Sequence, residues 1–155
     1  MGYEMKQYFA GLALLLASVW VGGMWVAGYV AVPVLFQSLP DKALAGMLAG
    51  RLFTVIAYLG MACAAYLLVY GYAVRGKQVL QQGAFRIIVI MLLLVMLGQF
   101  VMQPLLAELK AQALPLYVMD SPFAERFRFW HGASSIVYLI QSLLGGVLLV
   151  KNGYQ

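Results

Sequence analysis

The stretch "IIVIMLLLVMLGQFVMQPLLA", residues 87–107, decides the fold. It carries no charged residue and is long enough to cross the hydrocarbon core of a bilayer, which takes about 20 apolar residues of α-helix. Three more uncharged runs share the chain with it, at residues 7–39, 52–74 and 129–150. All four are continuously apolar rather than alternating, so a β-barrel is excluded and helices must satisfy the backbone within the lipid. Composition points the same way. The 155 residues are 65% hydrophobic and only 10% charged, where soluble domains carry roughly 25%. A chain of this length has no core large enough to hide so much apolar surface from water. The expectation is an all-α fold: one integral membrane four-helix bundle over 1–155, with short loops and transmembrane helices over 8–36, 41–74, 86–107 and 122–150.

The first run is longer than a signal-peptide core of about 7–15 residues and reads as a retained helix. The start "MGYEMK" has Lys6 where a myristoylation motif needs Ser or Thr. Helix 2 reads as beginning at the interface, with Pro40 as a first-turn proline and the helical pattern running unbroken past Arg51. Helix 4 is expected to have Ser121 as N-cap and Pro122 in its first turn. Residues 104–121, interrupted by Pro115, read as a loop or short surface helix.

Net charge is +5, but the Lys and Arg residues sit beside the apolar runs, where they serve orientation and headgroup contact rather than nucleic acid. With both termini inside, Lys6, Arg75, Lys77, Arg86 and Lys151 face the cytoplasm, and Lys42, Arg51, Lys110, Arg126 and Arg128 face the other side. The positive residues therefore tie. The acids break the tie, since Asp41, Glu108, Asp120 and Glu125 all fall on the second face, and both termini are placed in the cytoplasm. In a bacterium the membrane would be the inner, plasma membrane. The lone Cys63 rules out an intrachain disulfide and a CxxC site, and reads as a packing residue.

Helix 4 is the most informative element. His131, Ser135, Tyr138, Ser142 and Gly145 follow steps of four, three, four and three, which aligns them on one stripe. Ser134, Gln141 and Gly146 flank it and Arg128 extends it backwards, while Ile136, Ile140, Leu143, Leu144 and Val147 form a lipid face. On helix 2, Arg51, Thr54 and Tyr58 share a face continued by Ala62 and Ala65. Helix 3 offers Gln99 and Gln103 one turn apart, and helix 1 offers Ser18, Gly22, Trp25 and Tyr29. Alternating helix directions bring the end of helix 1, start of helix 2, end of helix 3 and start of helix 4 to one membrane face. A polar pocket in one leaflet is therefore expected, with His131, Arg51, Gln99, Gln103, Arg128, Ser135, Tyr138, Tyr58, Thr54, Trp25 and Tyr29 as candidates. The alternatives are helix packing for the small residues, headgroup contact for the arginines and an interfacial belt for the aromatics.

With one histidine and no acid inside the spans, a multi-histidine zinc or di-iron site is impossible in a single chain. Met91, Met96 and Met102 scatter around helix 3, so they form no copper stripe. Haem or copper on His131 with methionine or an open position stays open, and no catalytic motif is present.

"WVGGMWVAGYVAVPVLFQSLP", "RLF", the "QP" ending helix 3 and "FRFWHGASS" opening helix 4 resemble the transmembrane protein 205-like family, small four-helix membrane proteins whose bacterial members were catalogued as a domain of unknown function. The resemblance implies a motif at Trp20, Gly22, Trp25, Phe36, Pro40, Phe53, Pro104, His131, Gly132 and Ser135. Eukaryotic relatives place an acid where Gln103 stands. More distantly the chain resembles CopD copper-resistance and HemJ-type membrane proteins, which use intramembrane histidines for copper or haem, although helix 1 here lacks one. Three functions follow as expectations: binding or transport of a small ion or solute through the pocket, haem- or metal-linked redox chemistry, or a non-catalytic accessory subunit. The bilayer is the expected partner, with a homodimer or membrane complex as a further one.

Overall fold

The computed structural model describes residues 3–153. Its helices are α1 (Tyr3–Val26), α2 (Val32–Ser38), α3 (Lys42–Arg75), α4 (Gly83–Leu97), α5 (Gln103–Ala113) and α6 (Ala124–Gly153), and no strand occurs among the described residues. The π-helical turn Ala27–Ala31 joins α1 to α2 and a second one, Gly98–Met102, joins α4 to α5. The result is four continuous spans, Gln7–Ser38, Lys42–Gln81, Gly83–Ala113 and Ala124–Lys151, each long and apolar enough to cross a membrane. The chain is an integral membrane four-helix bundle.

Both π turns sit just before a proline, and the chemistry of proline accounts for them. Pro33 has no N–H for the carbonyl of Tyr29, and Pro104 has none for that of Phe100. In each case the chain takes one wider turn instead of breaking. Val32 N–H reaches back to the Ala27 carbonyl and Gln103 N–H to the Gly98 carbonyl, five residues rather than four. The third span therefore continues past Pro104 to Ala113. This corrects the expected stop at 107 and the reading of residues 104–121 as a loop or short surface helix. Only residues 114–123 connect α5 to α6, through the 3-10 turn Val118–Asp120.

The helix starts also differ from expectation. Asp41, not Pro40, opens α3: its carboxylate accepts from the N–H groups of Ala43 at 2.8 Å and Leu44 at 3.1 Å, and Pro40 precedes the cap. Ser121 closes the turn ahead of α6, donating to the Val118 carbonyl at 2.8 Å and accepting from Phe123 N–H at 3.2 Å. Pro122 lies in that turn, and α6 begins at Ala124. Gly76, with φ of 56°, ends α3 in a conformation that favours glycine.

The spans pack in a ring, α1 on α3, α3 on α4, α4 on α6 and α6 on α1. Their common core is Trp20, Val21, Met24, Met91 and Leu148, with Cys63 as a small packing residue beside them. In lipid, helix association relies on close packing rather than on water exclusion, and here small residues receive large ones. The Trp20 indole lies against Gly60, and a Cβ on Gly145 would come within 3.0 Å of Val21. Outward, Ile136, Ile140, Leu143 and Val147 are exposed as expected, while Leu144 packs on the core. Beyond the π turns the arrangement changes. There α2 packs on α3 and α5 on α6, with a separate small core of Leu106, Leu109, Ala113, Val118 and Phe127.

A Cβ at Gly60 would overlap the Trp20 indole nitrogen, whereas one at Gly132 would meet nothing within 4 Å. Gly60→Val is expected to destabilise the bundle by about 1–3 kcal/mol. Gly132→Ala should leave it unchanged or slightly stabilised. Thermal melts in neutral detergent read the difference, and equal melting of the two variants would contradict the packing described.

Candidate functional site

A cavity of about 1760 Å³ lies among the four spans at the end that carries the prolines. Helix α1, its π turn and α2 contribute Gly28, Tyr29 and Phe36, and α3 contributes Gly46, Arg51, Phe53 and Thr54. From the third span come Gln99, Gln103 and Lys110, and from α6 come His131, Ser135, Tyr138 and Gln141. The structure thus gathers Tyr29, Arg51, Thr54, Gln99, Gln103, His131, Ser135 and Tyr138 from the expected set around one space.

Three candidates lie elsewhere. Tyr58 is 54% exposed and absent from the lining, because α3 turns its small residues inward, Ala57, Gly60, Cys63 and Ala64, rather than its polar stripe. Arg128 is exposed, since its neighbour Phe127 takes the inward position. Trp25 is 41% exposed and borders a separate groove of about 610 Å³ between α1 and α6, where its Nε1 donates to the Ser142 carbonyl at 3.3 Å.

Within the cavity many hydroxyls are already engaged. Ser134 and Ser135 both donate to the His131 carbonyl at 2.9 Å, and Thr54 donates to the Gly50 carbonyl at 3.0 Å. Tyr138 Oη donates to the Met24 carbonyl across the bundle, and its ring meets Phe53 edge-on at 5.1 Å. Gly28 leaves room for that ring. Other groups keep free capacity. Gln99 Oε1 is buried with no hydrogen-bond partner among the described residues. Gln141 is only 5% exposed, lines the cavity and makes no hydrogen bond there either.

Lys110 is the residue that sequence reasoning missed, having been assigned to a surface connection. Its Nζ donates to the Gly46 carbonyl at 3.2 Å and stands 5.7 Å from the centre of the Phe127 ring. Phe127 in turn stacks on His131, with ring centres 5.6 Å apart and planes within 9°. The signal was present: Gln99, Gln103, Leu106 and Lys110 follow steps of four, three and four. It became readable only with the helix continuing through Pro104. The full charges on the lining are Lys42, Arg51 and Lys110 against the single acid Asp41, whose carboxylate already caps α3. Among the described residues no group of three or more His, Cys, Asp or Glu side chains is placed to hold a metal ion.

The motif residues divide between fold and cavity. Trp20 is in the core, Phe36 and Phe53 line the cavity, and Pro104 follows its π turn. Gly22 and Gly132 face open space and permit no close helix contact. Removing the Tyr138 hydroxyl tests the bond across the bundle. Tyr138→Phe is expected to lower stability by about 0.6 kcal/mol, the size usual for such bonds in lipid, as read by unfolding in mixed micelles. A loss near zero would show that the Met24 bond contributes nothing.

No curated protein and no solved structure matches the chain, so the likenesses to the transmembrane protein 205-like, CopD and HemJ-type proteins gain no support from comparison. One family does match, over residues 15–115, from within α1 to the residues just after α5. The chain belongs to that family, described as a domain of unknown function (DUF4149).

Proposed function

We propose that this membrane protein binds a small solute in the cavity between its two helical hairpins, within one leaflet, and that holding or passing that solute is its activity. The observation that carries this reading is Gln99, whose side-chain Oε1 is buried on the cavity lining without a hydrogen-bond partner among the described residues. An amide buried in a membrane protein without a partner costs several kcal/mol on the scale of about 2–7 for such groups. A polar ligand or water in the cavity removes that cost. The volume, about 1760 Å³, is far beyond a packing defect in a close-packed interior and is ample for a ligand site, typically about 300–1,000 Å³. Both termini belong in the cytoplasm of a plasma-membrane protein on this reading, with the Arg75, Lys77 and Arg86 cluster on the same side.

Cysteine accessibility tests it. In a Cys63→Ala background, Gln141→Cys is expected to react with a membrane-impermeant methanethiosulfonate reagent in membrane vesicles. Met91→Cys, at a buried position on α4 away from the cavity lining, should stay inert. Labelling in right-side-out vesicles and not in inverted ones would place the cavity opposite the termini. Gln141→Cys as unreactive as Met91→Cys from both sides would end the solute-binding reading.

A further inference from the structure

We infer that the ligand of this cavity is an amphipathic anion, a carboxylate or phosphate head on an apolar chain, with its head held at Lys110 and its chain lying between the hairpins; this rests on the solute-binding reading above. An ammonium in a low-dielectric interior calls for a counter-charge, and lysines in membrane proteins normally escape the cost by stretching to the headgroups. Lys110 does not stretch outward. Its Nζ is turned onto the Gly46 carbonyl and the Phe127 ring, on the cavity side of α5. An ammonium has three donors, and only one is used among the described residues. Arg51, also on the lining, makes no hydrogen bond or ion pair there. Asp41 is engaged with the α3 N-terminus, so no acid among the described residues answers the two cations.

Away from Lys110 and Arg51 the lining is set by Phe36, Val95, Met102, Leu106 and Val137, a surface that suits hydrocarbon and gives nothing to a hydrated inorganic anion. Leu44, Met47 and Val55 of α3 line the cavity and are also exposed. The space therefore reaches the apolar flank of the bundle, where an acyl chain arrives from the bilayer. A free fatty acid and an anionic phospholipid share this chemistry.

The test uses the purified full chain in phosphatidylcholine nanodiscs, titrated with dodecanoate, dodecyl phosphate, dodecyltrimethylammonium and inorganic phosphate by calorimetry. Dodecanoate and dodecyl phosphate are expected to bind saturably. The quaternary ammonium and inorganic phosphate should be at least about tenfold weaker, as fits loss of a charged contact or of chain burial. Lys110→Met should weaken dodecanoate at least about tenfold, and Lys110→Arg should restore most of the affinity, which separates charge recognition from a folding defect. In mixed nanodiscs, retention of phosphatidylglycerol over phosphatidylcholine by native mass spectrometry would identify the membrane lipid as the source. Dodecanoate binding without that retention would identify a free acid. Equal binding of the cationic amphiphile, equal binding of inorganic phosphate, or no effect of Lys110→Met would overturn the inference. Absence of binding by every probe would overturn it too, while a reactive Gln141→Cys would leave the cavity reading intact.

Discussion

Inside a bilayer every backbone carbonyl needs a donor from its own helix or from a neighbour, because no water is there to supply one. Pro33 and Pro104 each deprive a carbonyl of its usual partner within a long span. The chain answers with a π turn before each proline, which widens the helix by one residue and re-aims the side chains that follow. Everything distinctive about the molecule stands downstream of those two turns. Before them, α1, α3, α4 and α6 close on a common core; beyond them, α2 stays with α3 and α5 stays with α6. The cavity occupies the space so left, and π turns are found at functional places often enough to make that coincidence meaningful.

Few polar bonds join the two hairpins. Trp25 donates to the Ser142 carbonyl, Tyr138 to the Met24 carbonyl and Lys110 to the Gly46 carbonyl. All are side chains reaching a helix carbonyl that retains a second lone pair, so none disturbs the backbone ladder of the partner helix. The first two join α1 to α6. Among the described residues Lys110 alone reaches from the second hairpin to α3 beside the cavity, which makes it both a structural tie and a lever for a ligand. An anion that draws the ammonium from Gly46 would change how the hairpins are held to each other.

The spans were legible in the sequence because four long uncharged runs admit no other arrangement in lipid. The lipid face of α6 was legible for the same reason, as exposed Ile136 and Leu143 confirm. The gathering of Gln99, Gln103, Arg51 and His131 followed from helix direction alone. What stayed hidden has physical causes. Pro104 looked like a terminator because a π turn is invisible in composition, and Lys110 was lost with it. Tyr58 was assigned by polarity, whereas the inward face of α3 is chosen by size, with Ala57 and Gly60 admitting their neighbours closely. Pro40 was read as the first turn because proline suits that position, but the Asp41 carboxylate is the stronger cap.

The central claim is that the bundle is closed at one end and parted at the other, and paired cysteines measure it most directly. In a Cys63→Ala background, Val21→Cys with Gly145→Cys joins positions in direct contact across α1 and α6, within the reach of a disulfide, whose Cα atoms lie about 4.4–6.8 Å apart. Phe36→Cys with His131→Cys places thiols on the cavity lining of the two hairpins. Mild oxidation in membranes should close the first pair rapidly and leave the second open, with a long bis-maleimide able to bridge it. Equally rapid disulfide formation at both pairs would mean that the bundle is closed along its whole length, and the account would be wrong.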